Sequence, residues 1–404
     1  MNMQAIPALR GRPPRRASRT DARGSFAPWH LDQGLLLAVG ILLVLGVVMV
    51  GSASSAIAER QTGTAFYYLW RQLVYVGFGL TVATAVLFLP LRLWQAAGPW
   101  LILASIFLLL LVFIPGLGRE VNGSLRWVRL GSMSVQVSEF AKLFVILYLA
   151  GYLVRHREAV QTSMGGFLRP LALLLILAVL LLLQPDYGAV AVMLMTAMGM
   201  MWLGGARLFQ FLLLLLSVSG ALALLALISP YRMERLTGFL NPWADPFDSG
   251  FQLTQALIAF GRGEWFGVGL GASVQKLFYL PEAHTDFLFA VLAEELGLVT
   301  VLLVVGLFLF IVMRAFVIGR RAETRELPYH AFVAYGVGFW IGLQAFINLG
   351  VNMGVLPTKG LTLPLMSYGG SSMVVMCVAI ALLLRVDSET RQNDRLTQRK
   401  KKTW

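Results

Sequence analysis

The stretch LPEAHTDFLFAVLAEELGLVTVLLVVGLFLFIVM, residues 280–313, decides the fold. Its second half is an apolar run long enough to cross a bilayer, because about 20 helical residues span the hydrocarbon core. Its first half places Glu282, His284 and Asp286 directly before the predicted helix. Ionisable side chains at membrane depth cost about 2.5–3.5 kcal/mol each. We therefore predict that a chain retaining several of them uses this stretch for its function.

The rest of the chain has the composition of a membrane protein. Of its 404 residues, 58% are hydrophobic and 13% are charged, whereas soluble domains have about 25% charged residues. The single cysteine, Cys377, excludes an intramolecular disulfide and a cysteine-based metal site. We predict an all-α polytopic membrane protein of about ten transmembrane helices. The predicted spans lie near residues 34–54, 72–90, 98–115, 136–154, 169–183, 187–205, 208–228, 286–313, 331–354 and 365–385.

The basic residues predict the orientation of the chain. Arginines cluster within 10–23, and arginines and lysines cluster within 391–402. The positive-inside rule places both termini in the cytoplasm, which requires an even number of spans. We interpret residues 1–30 as a basic, disordered cytoplasmic tail, 31–386 as the transmembrane domain and 387–404 as a basic cytoplasmic tail. Basic tails beside a membrane attract anionic lipid headgroups, so we disfavour nucleic acid as a partner.

Two segments on the predicted outer side are unusually long. The first covers residues 116–135, and the second, 229–285, is a large extracytoplasmic loop between the seventh and eighth predicted helices. Long structured loops are usually functional, so the active surface is predicted to be extracytoplasmic. The closely spaced glycines within 261–271 favour a re-entrant segment over a phosphate loop, because no Walker pattern is present.

Asp286 has two interpretations at this stage. An acid near a helix N-terminus stabilises the helix dipole by about 0.3–1 kcal/mol, which is a purely structural role. A partly desolvated carboxylate at the membrane boundary has a raised pKa and acts as a general base. The proximity of Glu282, His284 and Lys276 in the sequence favours the second interpretation.

Polar residues within the predicted spans favour structural roles. Glu294 and Glu295 lie two turns beyond the start of their helix, and we expect them to bond to polar groups of neighbouring helices. Glu139 and Lys142 share one helix face, which predicts an ion pair. The alternative is that Lys142 joins Arg126 in a cationic binding surface.

Two further segments combine turn residues with polar groups. Gln184, a proline and Asp186 form a very short outer connection, in which we expect Asp186 to cap the following helix. The segment LPTKGLTLPLMSYGGSSM, residues 356–373, places Lys359 before a predicted span and Ser367 within it. Its small residues predict a packing seam, and its paired glycines permit a broken helix.

Six strings resemble the SEDS family (shape, elongation, division and sporulation proteins of bacteria). In chain order they are SLRWVRLG, QVSEFAKL, QPDYG, NPWADPFDSGFQLTQ, LPEAHTDFLFAVLAEELG and LPTKGLTLPLMSYGGSS. The resemblance covers about residues 34–385, and it is closer to the division members than to the elongation members. The chain departs from the usual pattern at Val137, where many members have proline, and at Leu125. Neither departure removes an ionisable group.

The resemblance implies a peptidoglycan glycosyltransferase with inverting chemistry. Such a protein polymerises lipid II, a lipid-linked disaccharide–peptide, at the outer face of the bacterial cytoplasmic (inner) membrane, at the division septum. The resemblance implies Asp286 as the catalytic carboxylate. It also implies an FtsI-like class B penicillin-binding protein, which is a transpeptidase, and other division proteins as partners.

Direct displacement with inversion needs a base near the acceptor hydroxyl and positive charge near the leaving pyrophosphate. Asp286 suits the base. No signature fixes a cofactor, and a divalent cation near Asp286, Mg²⁺ or Mn²⁺, is the one that we consider. The candidate substrate-binding residues are Arg126, Lys142, Lys276, Lys359, Glu282 and His284. The candidate supporting residues are Glu139, Asp186, Gln184, Glu294 and Ser367.

Two other functions stay open on the sequence. One is a lipid II flippase or another transporter, and the other is a non-enzymatic scaffold of the division complex. A transporter should carry its ionisable residues near the bilayer midplane, in broken or repeated helices. We find no convincing internal repeat, and most ionisable residues map to the outer edge, which favours interfacial chemistry. A scaffold would not require Asp286.

Overall fold

The computed structural model describes most of the chain as helix. The described residues are 31–121, 124–131, 133–207, 209, 216, 220, 239, 241–246, 250–357 and 360–402. The helices are α1 (Gln33–Thr62), α2 (Tyr67–Phe88), α3 (Leu91–Leu111), α4 (Val137–Arg155), α5 (Arg157–Thr162), α6 (Met164–Leu183), α7 (Tyr187–Leu203), α8 (Phe251–Gly263), α9 (Leu288–Thr324), α10 (Pro328–Asn352) and α11 (Gly370–Lys402). The strands are β1 (Gly118–Val121), β2 (Ser124–Leu130) and β3 (Met133–Gln136).

The predicted polytopic helical class is confirmed. Within the described part of the chain, eight helices are long and apolar enough to cross a membrane, namely α1, α2, α3, α4, α6, α9, α10 and α11. The apolar helix α7 is shorter. The predicted span 208–228 falls mostly outside the described residues, so the count of about ten spans stays a prediction.

Several helices extend beyond the predicted spans. Helix α1 continues to Thr62, where Gly63 ends it in the left-handed conformation with φ of 75°. Helix α11 continues to Lys402, so most of the predicted tail at 387–404 extends the last helix, and its cytoplasmic location stays a prediction. Ion pairs of Asp387 with Arg321 and Arg391 stabilise this extension.

A small sheet on the loop between α3 and α4 was not predicted. Its three strands form an antiparallel meander in the order β1-β2-β3, with Gly118 opposite Val128 and Trp127 opposite Gln136. Strand β3 runs directly into α4. The sheet therefore holds β2, and Arg126 on it, in a fixed position above the helices.

The core lies around α4, α10 and α11, whose side chains are mostly buried, whereas α2 and α3 expose most of theirs. Ion pairs at one end of the bundle join Arg314 to Asp32 and Glu389 to His330. We call this end the inner end, and the opposite end, which carries the sheet and the residues before α9, the outer end. The start of α1 and the α11 turn that carries Asp387 both lie at the inner end, as the predicted even number of crossings requires.

Helix α9 is broken near its outer end. Gly297 has φ of 73° and ψ of −176°, which is not helical. The backbone groups released by the break bond to the segment after α8: Val268 N donates to Glu294 O at 2.9 Å, and Leu298 N donates to Glu264 O at 2.9 Å. A side chain at Gly297 would have its Cβ 2.4 Å from Gly267 N, so only glycine permits this contact.

Candidate functional site

Asp286 lies at the outer end in the turn that precedes α9. Its side chain is half-buried, and its carboxylate makes no hydrogen bond or ion pair with any residue that the structure describes. The first residue of α9 follows Phe287, which carries no side-chain cap. The helix-capping interpretation of Asp286 is therefore not supported by the geometry, and its carboxylate stays available for other contacts.

Arg126 and Gly360 flank this carboxylate. A methyl group at Gly360 would lie 2.9 Å from Asp286 Oδ2 and 3.8 Å from Arg126 Nη1. The guanidinium of Arg126 is held by Pro185 O at 2.9 Å and by Ser124 Oγ at 3.0 Å. Its side chain is 24% exposed. A fixed cation, a carboxylate and an exposed backbone glycine thus lie together at the outer end.

Asp186 approaches the same site from the start of α7. Its Oδ1 accepts from Ala189 N at 3.3 Å, which confirms the predicted capping role, and lies 3.9 Å from Arg126 Nη1. Gln184 donates from Nε2 to Leu109 O at 2.9 Å. Through Pro185 O and Asp186, the short connection between α6 and α7 therefore helps to hold Arg126 in place.

Burial raises the pKa of the Asp286 carboxyl to about 7. The charge of Glu282 raises this pKa, Arg126 lowers it and Asp186 raises it. A carboxyl with a pKa near 7 is about half ionised at neutral pH, so it accepts and releases a proton with little driving force. This is the property that a general base needs.

Lys142 is not at this site. Its Nζ is buried, 2.9 Å from Glu139 Oε1 and 2.7 Å from Gln344 Oε1, and it lies over the ring of Trp340. The predicted ion pair with Glu139 is present. Since the ammonium is already satisfied and out of reach of solvent, the geometry does not support Lys142 as a pyrophosphate ligand.

Lys276 is also buried in an ion pair. Its Nζ donates to Glu295 Oε1 at 2.7 Å, to Ser52 Oγ at 2.9 Å and to Gly271 O at 2.8 Å. Glu294 accepts from Ser273 Oγ at 2.5 Å and from the backbone N of Val274 at 3.1 Å. The two glutamates thus hold the loop between α8 and α9, as their structural interpretation predicts, and Lys276 belongs to that loop's support.

The remaining predicted residues lie around the Asp286 turn. Glu282 accepts from Thr285 Oγ1 at 2.7 Å. The His284 ring is buried, with its centroid 4.8 Å from that of Tyr68, and burial lowers its pKa. Ser367 Oγ donates to Thr285 O at 2.5 Å. Lys359 lies outside the described residues, so its role stays a prediction.

Three amides on α10 were missed by the sequence analysis. Gln344, Asn348 and Asn352 follow one another at four-residue spacing in an otherwise apolar span, which puts them on one helix face. Asn348 Nδ2 and Asn352 Nδ2 each donate to Asp286 O at 2.9 Å. The spacing of polar amides in an apolar helix was the signal that could have identified them.

The residues around Asp286 do not assemble a metal site of three ligands. Among the described residues, no group of three or more His, Cys, Asp or Glu side chains is placed to hold a metal ion. Arg126 supplies positive charge next to Asp286 instead. We therefore derive no step through a metal, and the divalent cation stays a prediction.

Comparisons with known proteins identify relatives over nearly the whole chain. A family model described as cell cycle protein, FTSW_RODA_SPOVE, matches residues 33–392. A probable peptidoglycan glycosyltransferase FtsW of Nitrosococcus halophilus is 60% identical over 374 residues, covering 93% of this chain and 96% of that protein. A protein of the same description from Coxiella burnetii is 54% identical over 366 residues, covering 91% and 98%.

Solved structures of similar fold have related descriptions. A chain from a peptidoglycan synthase complex, described as coordinating polymerization and crosslinking, superposes with a TM-score of 0.75 at 32% identity and covers 90% of this chain and 99% of that one. The rod shape determining protein RodA of Thermus thermophilus superposes with a TM-score of 0.65 at 30% identity, covering 89% and 97%.

Proposed function

The chain belongs to the SEDS family, whose FTSW_RODA_SPOVE model it matches, and we infer from this membership that it is a peptidoglycan glycosyltransferase. It is a multi-pass membrane protein that polymerises lipid II into glycan strands. The observation that carries the mechanism is the ionisable carboxylate of Asp286, which has no side-chain partner among the described residues and lies beside the fixed guanidinium of Arg126.

We propose that Asp286 is the general base. Its carboxylate accepts the proton of the acceptor sugar hydroxyl while that oxygen forms the new glycosidic bond and the bond from the donor anomeric carbon to pyrophosphate breaks. The displacement inverts the anomeric centre, and a positioned base contributes about 10²–10⁴ to such a rate.

Arg126 is the proposed cation for the leaving pyrophosphate. Its fork geometry suits phosphate oxygens, and charge-assisted bonds of this kind contribute about 1.5–3 kcal/mol. Of the four cations predicted from the sequence, Lys142 and Lys276 are buried in ion pairs and Lys359 lies outside the described residues. Arg126 is the one that the described structure brings to Asp286.

The proposed setting is the division septum of the inner membrane. The identity to proteins named FtsW supports a role in division, and the structural likeness to a chain of a synthase complex supports a partner. A class B penicillin-binding protein supplies crosslinking in this proposal. A transporter needs ionisable residues that act at depth, whereas Glu139, Glu294 and Glu295 are all bonded within the fold.

The test is lipid II polymerisation by the purified chain with its cognate transpeptidase. We expect Asp286→Ala and Asp286→Asn to lose product by at least about 10²-fold while the protein still inserts and folds. In the parent, kcat/KM should rise with pH through about 7 and then level off, because only the ionised carboxylate accepts a proton. Near-normal glycan chains from Asp286→Asn would remove Asp286 from the base role.

A further inference from the structure

Asp286 is held by its main chain rather than by its carboxylate. Asn348 and Asn352, one turn apart on α10, both donate from Nδ2 to the carbonyl oxygen of Asp286, each at 2.9 Å. A carbonyl oxygen has two lone pairs, so the two amides satisfy it completely. Both asparagines are buried.

The second hydrogen of each amide is also used. Asn348 Nδ2 donates to Leu361 O at 2.5 Å, and Asn352 Nδ2 donates to Asn348 O at 2.8 Å. Leu361 directly follows Gly360, which lies against the Asp286 carboxylate. Asn348 therefore links the backbone of Asp286 to the backbone segment that carries Gly360.

Asn352 contributes a further bond on its acceptor side. Its Oδ1 accepts from Ala290 N at 3.1 Å, in the first turn of α9. Ala290 N also donates to Phe287 O at 3.1 Å, so the amide adds a second acceptor at the start of a helix that has no side-chain cap of its own. The orientation of the amide is determined by these partners, because the reverse orientation would point its oxygen at two carbonyls.

We propose that Asn348 and Asn352 are positioning residues for the reaction: together they fix the main chain of Asp286, and so its carboxylate, relative to Gly360 and Arg126. The proposal rests on the base role of Asp286. Among the described residues, the charged groups that act on this carboxylate are Glu282, Arg126 and Asp186. Neither asparagine is charged, so both act through geometry alone.

The experiment compares Asn348→Ala, Asn352→Ala and the double variant in lipid II polymerisation with the cognate transpeptidase. Rates are measured across the acid limb of the pH profile, which is the range around pH 7 in which the parent rate rises with pH. Each single variant leaves one donor on the Asp286 carbonyl, and the double variant leaves none. We expect the double variant to lose at least about tenfold in kcat, with KM for lipid II changed by no more than about twofold. Its loss should exceed the product of the two single losses.

The pH profile separates positioning from a general loss of folded protein. Release of the carboxylate toward water relieves its desolvation, so the midpoint of the acid limb should move below that of the parent. A merely structural role would scale the rate equally at every pH and leave the midpoint in place. Gln344→Ala is the matched control for the loss of a buried amide, because this amide lies on the same face of α10 but bonds to Thr362 O, Lys142 Nζ and Trp340 Nε1 rather than to Asp286. Only the pH midpoint is compared for this control, since the loss of a Lys142 partner also lowers stability.

The double variant Asn348→Leu/Asn352→Leu keeps the experiment decisive if the alanine variants fold poorly. Leucine is close to asparagine in size and has no side-chain N–H, so it fills the buried space and leaves no donor on the Asp286 carbonyl, and we expect kcat to fall as in the double alanine variant. Parent-like kcat and midpoint in either folded double variant would overturn the proposal. An equal midpoint shift in Gln344→Ala would also overturn it. Parent-like activity of Asp286→Asn in the same assay would instead overturn the base role.

Discussion

Within residues 280–298, the carboxylates of Glu294 and Glu295 lie in an environment opposite to that of Asp286. Glu294 and Glu295 are fully buried, and each accepts hydrogen bonds from the loop between α8 and α9. Asp286, eight residues earlier than Glu294, is half-buried and has no side-chain partner among the described residues. The carboxylates of the two glutamates are occupied by hydrogen bonds that stabilise the fold, whereas the carboxylate of Asp286 remains available to bind another group. Hydrogen-bond satisfaction, rather than depth alone, distinguishes the two structural carboxylates from the proposed general base.

The largest expected difference comes from replacing a carboxylate by its amide at Glu295 and at Asp286. Glu295→Gln removes the counter-charge of Lys276, whose side chain is 6% exposed, and leaves a buried ammonium unpaired. Such a loss costs about 3–5 kcal/mol, so we expect a clearly lower thermal midpoint of the purified protein. Asp286→Asn should leave that midpoint unchanged while polymerisation is lost.

The control for this prediction removes both charges. Adding Lys276→Met to Glu295→Gln takes away the unpaired ammonium and should recover much of the lost thermal midpoint. If Lys276 instead binds substrate, the double variant will stay inactive even where its midpoint recovers. That result would return Lys276 to the catalytic site and weaken the comparison.

The next effect concerns the cation beside Asp286. We expect Arg126→Ala to lower turnover at least tenfold, because a charge-assisted phosphate contact contributes about 1.5–3 kcal/mol. Since Arg126 lowers the pKa of Asp286, its removal should also move the acid limb of the pH profile upward. Steady-state polymerisation rates across pH measure both effects.

Arg129 is the matched control on the same strand. It lies three residues further along β2, so its side chain points to the opposite face, and it is exposed. Arg129→Ala should keep the parent rate and pH profile. Equal losses of turnover in Arg126→Ala and Arg129→Ala would mean that the net positive charge of the sheet supports the reaction, rather than a guanidinium held beside Asp286.

The contrast between Asp286 and the two glutamates could be predicted only in part from the sequence. Apolar runs near 20 residues identified the spans, because their length matches the bilayer. The charge pattern and the family strings singled out Asp286 as the candidate catalytic carboxylate. The partners of Glu295 could not be predicted, since Ser52 approaches from helix α1 and Lys276 from the loop before α9. Lys142 and Lys276 were candidates for substrate binding, and tertiary packing buries both.

Local breaks were also hard to predict. The apolar pattern of α9 continues across Gly297, and the break is visible only where the segment after α8 bonds to the released backbone groups. The sheet of β1, β2 and β3 is short and lies between two spans, so hydropathy carried no signal for it. The amides of α10 had a signal, their four-residue spacing, but their common target on Asp286 needed the tertiary structure.

The smallest expected effect tests whether the Asp286 carboxylate needs a residue without a side chain at position 360. Gly360 is exposed, and a Cβ there would lie 2.9 Å from Asp286 Oδ2, so Gly360→Ala forces that carboxylate to rotate. A side chain moved off its preferred rotamer costs about 0.5–1.5 kcal/mol. We therefore expect a loss of about two- to tenfold in kcat, with the thermal midpoint unchanged.

Gly306→Ala on α9 is the control, because nothing lies within 4 Å of a Cβ at that position. It should polymerise at the parent rate and gain slightly in stability, by about 0.5–1 kcal/mol, since alanine favours helix over glycine. If Gly360→Ala also polymerises at the parent rate, the carboxylate tolerates displacement, and the contrast with the rigidly bonded glutamates then reflects mobility rather than placement. A loss confined to Gly360→Ala shows that Asp286 acts from the one position that Arg126 and Gly360 define.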